Sequence, residues 1–295
     1  MISGLLLIDK PGGLTSFAVV RRVRKVFQVK KVGHLGTLDP FATGLLPLAL
    51  GEATKLTQFL LDEPKTYLAT LKLGVETDTQ DLTGQVTAES DSLPTLEEVR
   101  RIADSFVGEI DQVPPMYSAV HHQGERLYKL ARRGEAVAAA PRRVVIHRLE
   151  IKDMALHQVT LRVECSKGTY IRTLAHDLGR ALGCGAHLVG LTRLAVGPFH
   201  LEEALPLEEI EKTADPEQLH RRLIPLARCL PGLKAVRVDG FHARRLAQGQ
   251  TVPWPEQDPA EGEKVRVVAE GDLVAVATVR GQGASQVLAP VRVFK

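Results

Sequence analysis

The chain has 295 residues, of which 44% are hydrophobic and 25% charged, with a formal net charge of +3. That length suits one large domain and a small one, and the composition is that of an ordinary globular protein. No apolar run approaches the length needed to span a bilayer. The three cysteines, Cys165, Cys184 and Cys229, have neither metal-type spacing nor a disulfide pattern, so reduced thiols in a cytoplasmic protein are expected.

Residues 5–8, Leu-Leu-Leu-Ile, predict a buried strand. Asp9-Lys10-Pro11-Gly12-Gly13 follows at once, which no signal segment would do. Thr15 or Ser16 caps a helix predicted to run to about residue 28. Residues 45–50 read as a short strand despite Pro47, and 52–61 as a helix. Residues 65–74 alternate as a strand, with Tyr67, Ala69, Leu71 and Leu73 on one face. Thr95-Leu-Glu-Glu98 is a capping box opening a helix to about residue 106. Residues 144–151 and 159–165 alternate as strands. From 169 to 182, Ile171, Leu174, Ala175, Leu178, Ala181 and Leu182 recur at helical spacing. Strands and helices interleave without a strict βαβ rhythm. The class is therefore α+β, with a mixed, mainly antiparallel sheet flanked by helices. Pro216, Pro225 and Pro231 mark a boundary, dividing the chain into 1–230 and 231–295. Beyond it, β-rich runs at 265–269, 273–279 and 291–294 predict a small all-β barrel-like module.

Charge is distributed unevenly. Arg21, Arg22, Arg24, Lys25, Lys30 and Lys31 crowd into eleven residues. Arg126, Lys129, Arg132, Arg133, Arg142 and Arg143 form a second group, and Arg221, Arg222, Arg244 and Arg245 smaller ones. Each cluster alone fits a solvated helix face. Several together, with few acids among them, point to a polyanion. Residues 114–134, bounded by proline and glycine and carrying cations with Tyr117 and Tyr128, read as a projecting loop and short helix within an arm at about 114–143. Such a mixture suits RNA, and the two tyrosines equally suit core anchors.

The segment Gly33-His-Leu-Gly-Thr-Leu-Asp-Pro-Phe-Ala-Thr-Gly44 holds one carboxylate, Asp39, in front of Pro40. Its glycines permit turns and Pro40 biases Asp39 away from the helical region. Locally, Asp39 fits both an ordinary turn residue and a catalytic carboxylate.

Three further segments stand beside it: Lys10-Pro-Gly-Gly-Leu-Thr-Ser16, Lys65-Thr-Tyr67 and Ser166-Lys-Gly-Thr-Tyr-Ile-Arg-Thr-Leu174. Together the four closely resemble the TruB-type tRNA pseudouridine synthases, from about residue 5 to 199. The tail is similar to the PUA-type RNA-binding module. The resemblance implies isomerisation of uridine 55 in the T stem-loop of tRNA, by a monomer with no metal, no organic cofactor, no membrane and no protein partner. It assigns Asp39 as nucleophile and Arg172 as the cation that keeps it ionised. Tyr67 becomes the stacking partner of the flipped base, and Tyr170 the floor beside Asp39. Leu191 becomes an apolar wall, and His34 the residue filling the place left in the tRNA loop. Arg193 joins the substrate-binding residues. Without the resemblance Tyr67, Tyr170 and Leu191 would be core residues, His34 a structural histidine and Arg172 a surface helix charge. Lys10-Pro11 and Thr15-Ser16 are read as support for the Asp39 loop. The chain departs from the family pattern at His121, where many relatives carry Lys, and at Thr192, where they often carry a second arginine. Both departures bear on RNA contact more than on the reaction.

Three alternatives stand beside this reading. One is a non-catalytic tRNA-binding or folding protein on the same fold. Another is a metal-dependent hydrolase using Asp78, Asp81 and His34, against which Thr77-Asp-Thr-Gln-Asp81 is better explained as a solvated turn. The third is a guide-dependent synthase with another RNA target.

Overall fold

The computed structural model describes residues 2–118, 121, 122, 124–126, 130, 133, 135, 137, 139–213, 215–254 and 258–294. They form two units. The first comprises Met1–Asp39, Leu46–Leu61 and Glu202–Lys295, the second Pro40–Leu45 and Asp62–Leu201.

The first unit opens with β1 (Gly4–Lys10), apolar and almost wholly buried. Helix α1 (Ser16–Phe27) follows, with the Thr15 hydroxyl accepting from the Ala18 amide at 3.0 Å. This side-chain oxygen answers one of the free amides of the first turn. Val19, Val20, Val23 and Phe27 form the buried face. The helix stops at Gln28, whose φ of 51° is left-handed. Strand β2 (Val32–His34) pairs antiparallel with the far end of β3 (Thr43–Leu50), in the register His34 to Leu48 and Val32 to Leu50. The single helix expected at 52–61 is instead a 3-10 segment, Gly51–Leu56, running into the short α2 (Thr57–Leu60). The Thr54 hydroxyl donates to the Gly51 carbonyl at 2.8 Å, taking an acceptor that an α-ladder would use.

The second unit is built on a sheet in the order β3-β12-β4-β11-β10-β7. Its members beyond β3 are β4 (Lys65–Leu73), β7 (Gly108–Gln112), β10 (Arg142–Ala155), β11 (Gln158–Cys165) and β12 (Ala186–Val196). Only the β3–β12 pairing is parallel, so this sheet is mixed and mainly antiparallel. On β4 buried and less buried residues alternate strictly, with Tyr67, Ala69, Leu71 and Leu73 inward as their spacing predicts. Short hairpins β5 (Val75–Thr77) with β6 (Val86–Glu89), and β8 (His121–His122) with β9 (Glu125–Arg126), stand apart from the main sheet. Helix α3 (Leu96–Asp104) carries the complete capping box of Thr95 and Glu98. Helix α4 (Ile171–Ala181) buries Ile171, Leu174, Ala175 and Leu178, whereas Ala181 is exposed as the helix ends. Strand β12, which the sequence reading passed over, lies between β3 and β4.

The chain then returns to the first unit. After β13 (Phe199–His200), β14 (Leu205–Pro206) pairs in parallel with β1, Ile8 opposite Leu205. Helices α5 (Leu207–Lys212) and α6 (Pro216–Arg221) follow. The Leu5 and Ile224 backbones exchange both hydrogen bonds, at 3.0 and 2.8 Å. The tail forms a five-stranded curled sheet in the order β15-β17-β18-β19-β16. Its strands are β15 (Lys234–Arg237), β16 (Val252–Pro253), β17 (Lys264–Ala269), β18 (Asp272–Arg280) and β19 (Val287–Val293). Its core is Val236, Val252, Val265, Val267, Ala275, Ala277, Val279 and Leu288, closed by Leu246. Leu246 comes from α7 (Gly240–Ala247), a helix the all-β expectation omitted, capped by Asp239 through the His242 amide at 2.8 Å. No helix among the described residues is long and apolar enough to cross a membrane.

Gly44 makes the β3–β12 pairing possible. Its φ is +96°, and a Cβ there would lie 2.4 Å from the Arg193 carbonyl oxygen and 2.7 Å from its amide nitrogen. Gly44→Ala is expected to destabilise the protein by about 3 kcal/mol, from left-handed strain plus overpacking against backbone. Urea denaturation measures this, and a loss below about 1 kcal/mol would mean the strand pair shifts without cost.

Candidate active site

The first unit builds the Asp39 loop from the inside out. Lys10 is fully buried, and its ammonium donates to the carbonyls of Pro11 at 3.0 Å and Leu14 at 2.7 Å. This holds the turn that delivers Thr15 and Ser16 to the start of α1. Ser16, also buried, reaches across 22 positions. Its hydroxyl accepts from the Leu38 amide at 2.8 Å and donates to the Leu38 carbonyl at 3.1 Å. Both backbone groups of the residue before Asp39 are thereby satisfied by one side chain. Leu35 and Leu38 are buried, and the Leu35 amide donates to the Pro47 carbonyl at 3.0 Å. Asp39 emerges half-buried from this fixed loop, followed by exposed Pro40. His34 is half-buried on β2, opposite Leu48. Support for the loop from Lys10 and Ser16 is what the first motif predicted.

The second unit brings Tyr67, Tyr170, Arg172, Leu191 and Arg193 onto neighbouring elements. Tyr67 on β4 faces Arg193 on β12, and Ala69 faces Leu191. Residues two apart on a strand share a face, so Tyr67, Leu191 and Arg193 stand on one side of the sheet. All three are buried, Arg193 to 1% exposure, with its Nε donating to the Leu45 carbonyl at 2.8 Å. Thr192, on the opposite face, shares a 2.9 Å hydroxyl hydrogen bond with Thr43. That departure from the family pattern is absorbed within the strand pair.

Tyr170 occupies the position before α4 and is half-buried. The Gln112 side chain clasps it, accepting from its amide at 3.0 Å and donating to its carbonyl at 3.3 Å. Gln112 is buried at the end of β7, 58 residues away. No local pattern marks it in the sequence. Arg172 is buried, not a surface charge. Its Nη1 donates to the Asp81 carboxylate and the Thr79 carbonyl, both at 3.3 Å, and its Nη2 to the Tyr117 carbonyl at 2.9 Å.

Asp81 overturns the solvated-turn reading. It is 4% exposed and accepts from the Thr79 hydroxyl at 2.8 Å and the Thr83 amide at 2.9 Å, besides Arg172. Asp78 is exposed, as a solvated turn requires, and accepts from the Gln85 amide. A buried carboxylate already holding a guanidinium and three other donors, the Thr83 hydroxyl among them, has little left for a metal. Among the described residues, no group of three or more His, Cys, Asp or Glu side chains could hold a metal ion.

Within residues 114–143, Tyr117 is 38% exposed, not a core anchor. Arg133, suggested as a phosphate contact, forms a two-pronged bond to Glu125 at 2.7 and 2.8 Å and another to Glu135 at 2.7 Å. These partners raise its pKa further above the usual arginine range. Ala119, Val120, Tyr128, Lys129 and Arg132, with the side chains of His121 and Arg126, lie outside the described residues.

Lys65 begins β4, two residues before Tyr67, and is buried with its ammonium donating to the Glu63 carbonyl. Burial first, and the Arg193 charge second, lower its pKa from 10.5 to about 8. Its cross-strand neighbour Cys165 moves the other way, pushed by burial from 9.0 to about 11.

Residues 24–171 match the sequence profile of the TruB family pseudouridylate synthase N-terminal domain. Residues 172–231 match that of the tRNA pseudouridylate synthase B C-terminal domain, and 235–294 that of the pseudouridine synthase II TruB C-terminal region. The chain is 47% identical over 275 residues to the tRNA pseudouridine synthase B of Dechloromonas aromatica (strain RCB), covering 93% of this chain and 91% of that one. It is 47% identical over 296 residues to the protein of the same name from Burkholderia pseudomallei (strain 668), covering 99% and 96%. A chain in the crystal structure of a Cbf5-Nop10-Gar1 complex superposes with a TM-score of 0.75 at 26% identity, covering 99% of this chain and 84% of that one.

The buried charges make two predictions. Asp81→Ala leaves the Arg172 guanidinium without its carboxylate and is expected to cost about 3–5 kcal/mol in urea denaturation, with Asp81→Asn costing less; equal stability of Asp81→Ala and wild type would refute the pairing. Lys65 is harder to protonate in the folded state, so between pH 8 and 10.5 the unfolded chain binds more protons and stability rises with pH. Cys165 opposes this between pH 9 and 11, so the informative quantity is wild type minus Lys65→Met. That difference is expected to climb across pH 8–10.5 and to be flat if Lys65 titrates as in solvent.

Proposed function

The chain belongs to the TruB family of pseudouridylate synthases, and on that premise we propose that it converts uridine 55 in the T stem-loop of tRNA to pseudouridine, with Asp39 as the nucleophile. It is a pseudouridine synthase acting on tRNA; the single uridine and the residue roles are the proposal. The observation that supports it most is the construction of the Asp39 loop. A half-buried carboxylate is delivered by a leucine whose backbone is clasped by buried Ser16, and fixed placement is what a nucleophile needs.

The reaction breaks N1–C1′, turns the base and joins C5 to C1′. The proton lost from C5 is balanced by one gained at N1, so substrate and product are isomers. The Asp39 carboxylate acts by attack at C1′, by attack at C6 or by taking a sugar proton in a glycal route, and in each case it is regenerated when C5 closes on C1′. A uridine within a folded loop must first leave its stack. Tyr67 then stacks on the base, Tyr170 forms the floor, Leu191 an apolar wall, and Arg193 completes the substrate-binding residues. His34 fills the place the base leaves. Arg172 supplies the positive charge that favours an ionised carboxylate in a low-polarity setting. Residues 1–230 carry the catalysis, with the arm at about 114–143 gripping RNA, and 231–295 form a PUA-like RNA-binding module. The protein acts in the cytoplasm as a monomer without a partner subunit.

Wild type is expected to form pseudouridine at position 55 of an unmodified tRNA transcript in the presence of chelator. Asp39→Asn is expected to lower the rate by roughly 10⁴-fold or more while still binding tRNA. Binding without product by wild type would leave only the non-catalytic reading.

A further inference from the structure

We propose that the exposed cationic face of α1, continued by Lys30 and Lys31, grips the phosphate backbone of the substrate tRNA outside its T stem-loop; the inference rests on tRNA being the substrate. Between Asp9 and Asp39 the chain has no acidic residue and seven cations. Val19, Val20, Val23 and Phe27 take the buried side of α1. Phe17, Arg21, Arg24, Lys25 and Gln28 fall at i, i+4, i+7, i+8 and i+11, which is one helical face, and all are exposed. Arg22, on the flank, pairs with Glu211 at 3.5 Å. Arg21, Arg24, Lys25, Lys30 and Lys31 have no ion pair among the described residues.

Much of the remaining cationic surface is already answered, although Arg244 and Arg245, a pair against the five cations here, also have no ion pair among the described residues. Arg133 and Arg143 are held by carboxylates, as are Arg221 and Arg222. On α1, Arg21 lies three residues from Arg24 and four from Lys25, spacings at which like charges repel. A polyanion laid along the face removes that repulsion. The only large apolar side chain on the face is Phe17, 63% exposed, too little apolar surface to seat a helix in a membrane. An aromatic ring beside cations suits RNA, with the ring for bases and the cations for phosphates.

The direction of the helix says which part of the RNA it meets. Its N-terminal end is tied to Leu38, next to Asp39, by Ser16. Its twelve residues extend about 18 Å from that tie, the axial rise of about five base steps. The cations are concentrated at the far end, with Lys30 and Lys31 beyond it. They therefore address phosphates about five base steps and more from the target uridine, where a folded tRNA continues past the end of a short hairpin stem.

The test uses the full chain with Arg21, Arg24, Lys25, Lys30 and Lys31 all changed to Gln, and a second variant with only Lys30→Gln and Lys31→Gln, which leaves the helix untouched. Dissociation constants are measured for a full-length tRNA transcript and for a T stem-loop hairpin from 50 to 200 mM salt. For tRNA, the fivefold variant is expected to bind at least about tenfold more weakly. Its salt slope becomes shallower by about one for each phosphate it no longer neutralises, and the double variant shows part of that weakening. For the hairpin, affinity and kcat stay within about twofold of wild type. Equal weakening on both RNAs, or none on either, overturns the proposal. So does a lower kcat on saturating hairpin, which would make the cations supports of the Asp39 loop. So, too, would loss of binding to phosphatidylserine vesicles with tRNA affinity unchanged. The binding readout needs no turnover, so a wild type that binds tRNA but makes no pseudouridine 55 sinks the proposed function and leaves this one standing.

Discussion

A buried positive charge has to be answered inside the protein, and the second unit answers three. Arg172 is met by the Asp81 carboxylate and two carbonyls, Arg193 by the Leu45 carbonyl, and Lys65 by the Glu63 carbonyl. Desolvating one such group without a partner costs several kcal/mol, so the loop 77–83 and the strand pair β3–β12 are fixed by these obligations as much as by apolar packing. Arg172 has a full negative charge among its described partners. For Lys65, burial and then the nearby Arg193 charge lower the pKa. A protein that gathers cations beneath its surface raises the potential of the face above them, which favours a polyanionic substrate.

Local patterns were legible in the sequence and non-local ones were not. The Thr15 cap, the Thr95–Glu98 box and the alternation of β4 are decided by residues close to one another in the chain, and each formed as read. Strand β12 was missed. It contains Gly190, and its register slips between Leu188 and Gly190 and between Arg193 and Ala195, which destroys the period-two signal. The helix α7 is eight residues long and sits among strands, where the surrounding composition argued for β structure. In the candidate site the motif residues were named from resemblance, but their holders were invisible. Gln112 lies 58 positions from Tyr170, and Asp81 lies 91 from Arg172. Asp81 looked like one more acid in a polar turn, because burial of a carboxylate is decided by a partner that only the fold supplies.

The serine-to-leucine clasp and the glutamine-to-tyrosine clasp share one device. In each, a polar side chain satisfies both the amide and the carbonyl of a single distant residue, adjacent to or at a position with a proposed catalytic role. Two hydrogen bonds to one residue's backbone fix its orientation as well as its place. The loop of Asp39 and the start of α4 are therefore held by backbone, and their functional side chains are left without structural duties among the clasping bonds.

The first unit is assembled from both ends of the chain. Strand β1 finds its parallel neighbour at Leu205 and its bridge at Ile224. On a ribosome these partners appear about 200 residues after β1, a wait of roughly ten to forty seconds at about 5–20 residues per second. Through that interval Leu5, Leu6, Leu7 and Ile8, all buried in the finished protein, have no native neighbour on that side. The sheet of the second unit can close first, since its strands follow one another in the chain from β4 to β12. Vectorial synthesis thus leaves the apolar N-terminal strand as the segment most in need of a chaperone, and delays completion of the unit bearing Asp39 until the last strands of the tail have emerged.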